Sequence, residues 1–169
     1  MRVEAQQLDI QRGRSLPAVW FALWTRSHCE RIVAQRLDAK GFHPWVPEAA
    51  SRSSRGAKVP MFPGYLFSHD TLEKRQMIDV MRTPGLVAVV GKVPDAQIES
   101  LRTVASSGLP LIPVPWLRQG ARVRIVHGSL AGAEGILAED DGSSVLVVSI
   151  DLFHRSLAVP VDAGDLAPA

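Results

Sequence analysis

Pro60-Met61-Phe62-Pro63-Gly64-Tyr65-Leu66-Phe67 holds two prolines, a glycine and three aromatic rings, in a chain that is only 6% aromatic. Pro63-Gly64 is a turn signal, because proline fixes φ and glycine admits positive φ. Tyr65-Leu66-Phe67 then leaves the turn as a strand. Alternation sends Tyr65 and Phe67 to one face and Leu66 to the other. One face is expected to feed a core and the other to stand open as an apolar docking surface. The plain alternative is a hairpin that only feeds a core.

Upstream, Val19–Thr25 (Val-Trp-Phe-Ala-Leu-Trp-Thr) reads as a strand apolar on both sides, hence central in its sheet. Trp20 and Trp24 share one face; Phe21 and Leu23 share the other. Ser27-His-Cys-Glu30 has the form of a capping box, which predicts a helix start. Cys29, Val33 and Leu37, with Ile32 beside them, form its expected buried stripe, and Gly41 is its expected stop. Phe42–Val46 is a short strand ended by Pro47. Ala49–Lys58 is a polar, basic loop without apolar anchors, expected to be mobile.

Downstream, Leu72–Met81 reads as a short helix with Leu72, Ile78 and Met81 inward, broken by Thr83-Pro84-Gly85. Leu86–Val90 reads as a strand, and Asp95–Ser106 as a helix with Ile98, Leu101 and Ala105 inward. Leu109–Trp116 carries three prolines and cannot be helical, so it reads as an extended connector. Beyond it, short strands punctuated by Gly128, Gly132, Gly135 and the acidic turn Glu139–Gly142 indicate a small closed barrel. The domain organisation is a tail over 1–18, a first domain over 19–108, a linker over 109–118 and a barrel over 119–169.

The 169 residues suffice for two small domains, and the net charge is only +2. The charge is unevenly placed. Residues 20–107 carry 12 Lys/Arg against 8 Asp/Glu, and residues 118–169 carry 4 against 7. A basic front and an acidic back suggest different partners. No apolar run approaches the roughly 18 residues of a membrane span, and the first residues lack the apolar core of a secretory signal. The single Cys29 excludes an internal disulfide and fits a reducing compartment. A cytoplasmic monomer with no membrane partner is expected.

Catalytic chemistry finds little support. Cys29 lies on an apolar helix stripe, where a buried structural thiol is the common case. His28, Cys29 and His43 lack a fourth ligand and ligand spacing, so no metal is expected. Gly128–Gly135 lacks the Lys-Ser/Thr of a phosphate loop and leads into a strand. No paired carboxylates sit where their pKa values would be forced apart. No cofactor and no enzymatic activity are expected. Binding chemistry is better supported. Arg26, Arg31, Arg36 and Lys40 lie along one segment, and Arg52, Arg55 and Lys58 crowd the polar loop. Together they could follow a phosphate backbone, or simply form a solvated face.

The Trp20–Trp24 strand, the Glu30–Gly41 helix, Pro60–Phe67, Thr83-Pro84-Gly85 and Val123–Leu137 occur in the order found in the NusG family of transcription elongation factors. The resemblance spans about Val19 to Leu166. The front half resembles the NusG N-terminal (NGN) domain, and the back half a KOW module. The linker and Val145–Val161 look most like the specialised UpxY/RfaH-type antitermination paralogues. The fold so implied is α+β: an antiparallel sheet with flanking helices, then a small all-β SH3-like barrel.

The resemblance implies that Trp20, Trp24, Phe62, Tyr65 and Phe67 grip the clamp helices of bacterial RNA polymerase. It places contacts to upstream and non-template DNA at Arg26 and Arg36, with Lys40 close by; Arg52 and Arg55 join them from the basic loop. A second polymerase contact would fall at Gln76, Met77 and Ile78, where the His-Thr-Thr of RfaH is lacking. Phe153-His154-Arg155 aligns with the Phe-Gly-Arg loop through which the NusG barrel holds a ribosomal protein or the termination factor Rho. Phe153 and Arg155 are the implied contacts, and His154 replaces the glycine. The expected function is suppression of pausing and termination. The alternatives are a housekeeping NusG coupled to Rho or the ribosome and, less favoured by the acidic barrel, a ribosomal-type KOW RNA-binding protein.

Overall fold

Strand β1 (Val19–Thr25) lies between β5 (Tyr65–Asp70) and β6 (Leu86–Val93), antiparallel to both, and β2 (Pro44–Trp45) completes the sheet beyond β5. The computed structural model describes residues 16–51, 53, 55–117 and 119–169, so all but the end of the expected tail lies outside the described residues. The central position of β1 follows from its two apolar faces. Phe21 and Leu23 pack with Leu66 against Val33 and Leu37 of α1 (Glu30–Ala39) and Val80 of α2 (Lys74–Met81). Trp20 and Ala22 pack with Phe67 on the opposite face, against Ile98, Leu101 and Val104 of α3 (Asp95–Ser106).

Two local expectations are corrected. Helix α1 begins at Glu30 with Cys29 as its N-cap and no side-chain cap, because the buried Glu30 carboxylate is turned away from its own helix. In α2 the buried residue is Val80, with Met77 packed beside it, while Ile78 and Met81 are exposed. The helix starts at Lys74 under a capping box of Glu73 and Gln76, and this start points Met77 and Val80 at the sheet.

The basic loop is flanked by a two-stranded ladder of β3 (Glu48–Ala50) and β4 (Lys58–Pro60). Arg31 of α1 pins it, with Nε 2.6 Å from Glu48 Oε1 and Nη2 donating to the Lys58 carbonyl at 2.7 Å. Strand β7 (Ile112–Val114) lies within the Pro-rich stretch and pairs with β11 (Arg155–Pro160).

The rest is all-β: β8 (Ala121–Ile125), β9 (Glu134–Asp140), β10 (Ser143–Ile150), β11 and β12 (Leu166–Pro168). Their antiparallel order is β12-β8-β9-β10-β11-β7. The acidic turn closes β9 onto β10 through Asp141-Gly142, both at positive φ as a two-residue hairpin loop demands. Leu146, Val148 and Ile150 join the core that also holds Trp20, Phe67 and α3, so the two halves share one apolar interior. Val145 and Val147 face the other way, against Ile112, Val114 and Leu117.

Candidate functional site

The Phe62-Pro63-Gly64-Tyr65 turn is built as its residues require. Tyr65 N–H donates to the Phe62 carbonyl at 3.0 Å, and Gly64 has φ +86°, the value that a type II turn needs at its third position. Its amide donates to Glu30 Oε1 at 2.5 Å, and its carbonyl accepts from Thr25 N–H at 2.8 Å. The buried carboxylate of α1 therefore holds the turn that starts β5.

Cross-strand register sets Trp24 opposite Tyr65, Ala22 opposite Phe67 and Trp20 opposite His69, all on one face. Trp24 is 47% exposed and Tyr65 half-buried. Trp20, Phe62 and Phe67 retain 6%, 3% and 0% exposure, so the expected open face is corrected: three of the five rings that the resemblance assigns to polymerase are covered within the chain. Two elements cover them. Helix α3 lies over Trp20, with the Arg102 guanidinium 4.8 Å from the Trp20 ring and 5.3 Å from that of Trp45. The second cover comes from the C-terminal half, where a single 3-10 turn, Asp151–Phe153, follows β10.

Phe153 enters the aromatic cluster from that turn. Its ring stacks on Tyr65 with centroids 4.1 Å apart and planes 11° apart, meets Phe62 edge-on at 5.5 Å, and lies 6.2 Å from Phe67. Leu152 lies over β6, so close that a Cβ at Gly91 would stand 3.3 Å from its methyl carbon. Polar contacts frame the plug. Gln97 of α3 donates through Nε2 to Asp151 Oδ2 at 2.9 Å, Trp116 Nε1 donates to Asp151 Oδ1 at 3.3 Å, and Glu134 N–H donates to Ser100 Oγ at 3.0 Å. His154 adopts the left-handed conformation, φ 53° and ψ 51°, that glycine would enter without strain. The turn therefore forms despite the substitution and aims Phe153 inward.

Residues 18–102 match the NusG family, described as transcription termination factor NusG. The chain belongs to the NusG family. Among solved structures, one on domain interaction in Thermotoga maritima NusG is similar, with a TM-score of 0.55 and 18% identity over 89% of this chain and 97% of that one. An MjSpt4:Spt5 complex in conformation B gives 0.34 and 16% identity, over 89% of this chain and 96% of that one. No curated protein sequence matches. NusG-family proteins are transcription factors rather than enzymes, and the α+β architecture with its all-β C-terminal part agrees with the family fold.

The basic residues named from the NusG resemblance divide by environment. Arg26 is exposed, at the end of β1. Arg36 Nη1 donates to the Pro84 carbonyl at 2.7 Å. Lys40 Nζ donates to the Asp79 carbonyl at 2.8 Å and Thr83 Oγ1 at 2.9 Å. These two cations tie α1 to the end of α2 and to the turn before β6. Arg55 is exposed, and Arg52 lies outside the described residues. Gln76 spends its carbonyl on Glu73 N–H at 2.9 Å and the Thr71 hydroxyl at 2.8 Å. Met77 packs in the core and Ile78 is exposed, so the three do not form one surface. Arg155 is exposed beside the plug, while Phe153 is half-buried.

Sequence reasoning missed Glu30 as the anchor of the Pro-Gly turn and Phe153 as the cover of the aromatic face. The first was legible only as a cap, and the second needs a contact between the two halves that no local pattern encodes. Among the described residues, no group of three or more His, Cys, Asp or Glu side chains is placed to hold a metal ion, and no helix is long and apolar enough to cross a membrane.

Proposed function

We propose that the chain is a transcription elongation and antitermination factor of the specialised UpxY/RfaH type. It docks on the clamp helices of bacterial RNA polymerase through the face of Trp24 and Tyr65, floored by Trp20, Phe62 and Phe67. The observation that carries this reading is Phe153: the ring filling the face comes from the chain's own C-terminal half and is only half-buried. A surface satisfied by a ring from another part of the chain can exchange it for a ring or aliphatic side chain of a partner. Aromatic anchors in a desolvated pocket are the usual binding hot spots.

Docking then requires Leu152 and Phe153 to leave. The released Phe153, with the exposed Arg155, becomes available to a second partner, a ribosomal protein or Rho. Arg26 and Arg55 contact upstream and non-template DNA. A factor bridging the polymerase cleft favours the closed clamp by its differential affinity for that state. A coupling of about 1–3 kcal/mol shortens pause lifetimes by roughly 5–150-fold. The factor acts in the cytoplasm as a monomer, without a cofactor.

A pull-down of core polymerase by the full chain, with and without a non-template-strand hairpin, tests the reading. Wild type is expected to be retained and Trp24→Ala to be lost. Equal retention of both removes this face from the docking site.

A further inference from the structure

We propose that the opening of the docking face turns on a short hinge, Ser107–Leu111, and that residues 112–117 travel with the C-terminal sheet. The proposal rests on the reading that a partner uncovers the face. It divides the Pro-rich stretch, expected as one connector, into a joint and an arm.

The arm is defined by its anchors. Ile112, Pro113 and Val114 pair with Ala158, Leu157 and Ser156 of β11. Proline is tolerated there because β7 ends the sheet and needs no donor on its outer side. Ile112, Val114 and Leu117 pack on Val145, Val147 and Ala158. Trp116 donates to Asp151, and its ring meets His154 edge-on at 4.0 Å. These contacts all belong to the C-terminal half, including the turn that carries Phe153.

The joint, by contrast, carries no strand pairing among the described residues. Helix α3 finishes at a firm cap, where Ser107 N–H and Oγ both donate to the Val104 carbonyl, at 3.2 and 2.7 Å. Gly108 follows at φ +70° with open space where a Cβ would stand. Pro110 has no amide to donate. Leu109 N–H donates to Ser107 Oγ at 3.2 Å, a bond within the joint itself, and Leu109 and Leu111 pack in the core that opening divides. Helix α3 stays with the front sheet, where Arg102 covers Trp20 and Trp45.

The consequence is reach. Five extended residues span about 17 Å, against about 35 Å for ten. The released C-terminal half therefore stays close to the docked front half, and its partner is presented at high effective concentration.

Two crosslinks in a Cys29→Ser background test this. Ile112→Cys with Ala158→Cys ties the arm to β11; Gln97→Cys with Asp151→Cys ties α3 to the plug turn. Each pair is joined by a short thiol-cleavable crosslinker, and binding to core polymerase is measured before and after cleavage. The arm crosslink is expected to leave affinity within about twofold, and the seam crosslink to cost about tenfold or more, recovered on cleavage. Loss of binding with the arm crosslink overturns the proposal. So does retained binding with the seam crosslink, which would mean that α3 moves with the C-terminal sheet. If the uncrosslinked chains fail to bind polymerase, the docking reading falls instead. The hinge is then decided by amide relaxation in full-length Phe153→Ala. Fast motion confined to 108–111, with 112–117 as ordered as β11, supports it; uniform mobility over 109–117 overturns it.

Discussion

The Phe153 ring lies flat against the Tyr65 ring, 4.1 Å between centroids, although one belongs to the C-terminal half and the other to the front sheet. The same ring touches Phe62 and approaches Phe67, so one side chain closes most of the aromatic face. Each aromatic pair contributes about 0.5–1.5 kcal/mol beyond its area burial. Phe153→Ala is therefore expected to shift the molecule toward an open form. Affinity for core polymerase should rise by about tenfold or more, since the competent fraction multiplies the intrinsic affinity. The urea midpoint should fall in the same variant. Unchanged or weaker polymerase binding, with the midpoint lowered, would mean that the ring closes a core rather than a docking face.

Trp24 and Phe67 lie on one face but differ in what their removal tests. Trp24 is 47% exposed, so Trp24→Ala is expected to destabilise the fold much less than removal of a wholly buried ring, by about 1 kcal/mol. Its loss from a binding hot spot should cost about 2 kcal/mol of affinity. Phe67 is wholly buried, and Phe67→Ala is expected to destabilise the fold by about 3–5 kcal/mol. Chemical denaturation beside polymerase binding separates the two. A large stability loss in Trp24→Ala would contradict the geometry of the face.

Glu30 holds the amide of Gly64, and this contact predicts an asymmetry between two substitutions. Glu30→Gln keeps an acceptor oxygen and should cost little. Glu30→Ala leaves the Gly64 N–H without its partner and should cost about 1–3 kcal/mol. Equal denaturation midpoints for the two variants would remove the turn from Glu30's role. Gly85→Ala is expected to be worse than Gly64→Ala. Both positions have positive φ, but a Cβ at Gly85 would stand 2.9 Å from Val33 Cγ2, whereas at Gly64 the nearest atoms are 3.9 Å away.

Arg26 and Arg36 should respond oppositely to removal. Arg36→Ala loses the bond to the Pro84 carbonyl and is expected to lower stability by about 0.5–1 kcal/mol. Arg26→Ala should leave stability unchanged. If Arg26 neutralises a phosphate, its removal should also reduce the salt slope of DNA-dependent recruitment by about one unit. An unchanged slope assigns Arg26 to solvent.

Much of the front half was legible because its signals are local. The two apolar faces of Val19–Thr25 made β1 central, and Pro63-Gly64 marked the turn at the head of β5. Alternation also paired Trp20 with Trp24 and Tyr65 with Phe67, and the register of β1 against β5 puts both pairs on one side. What covers that side was not legible, because Phe153 reaches it only through the packing of two distant segments. Ser27-x-x-Glu30 reads as a cap, yet a buried carboxylate goes to the donor that needs it, and here that donor is Gly64. Ile78 and Met81 seemed inward because the helix phase depends on where the first turn starts, which Glu73 and Gln76 set.

The contact between Trp116 and His154 has an optical consequence. Of the four tryptophans, Trp20, Trp24 and Trp45 sit on the front sheet, while Trp116 rests against an imidazole of the C-terminal half. If arm and plug move together, that indole keeps the same neighbour, and its emission stays constant while the other three change. In the intact chain, the emission change on adding polymerase is therefore expected to come from Trp20, Trp24 and Trp45, with Trp116 as a constant background.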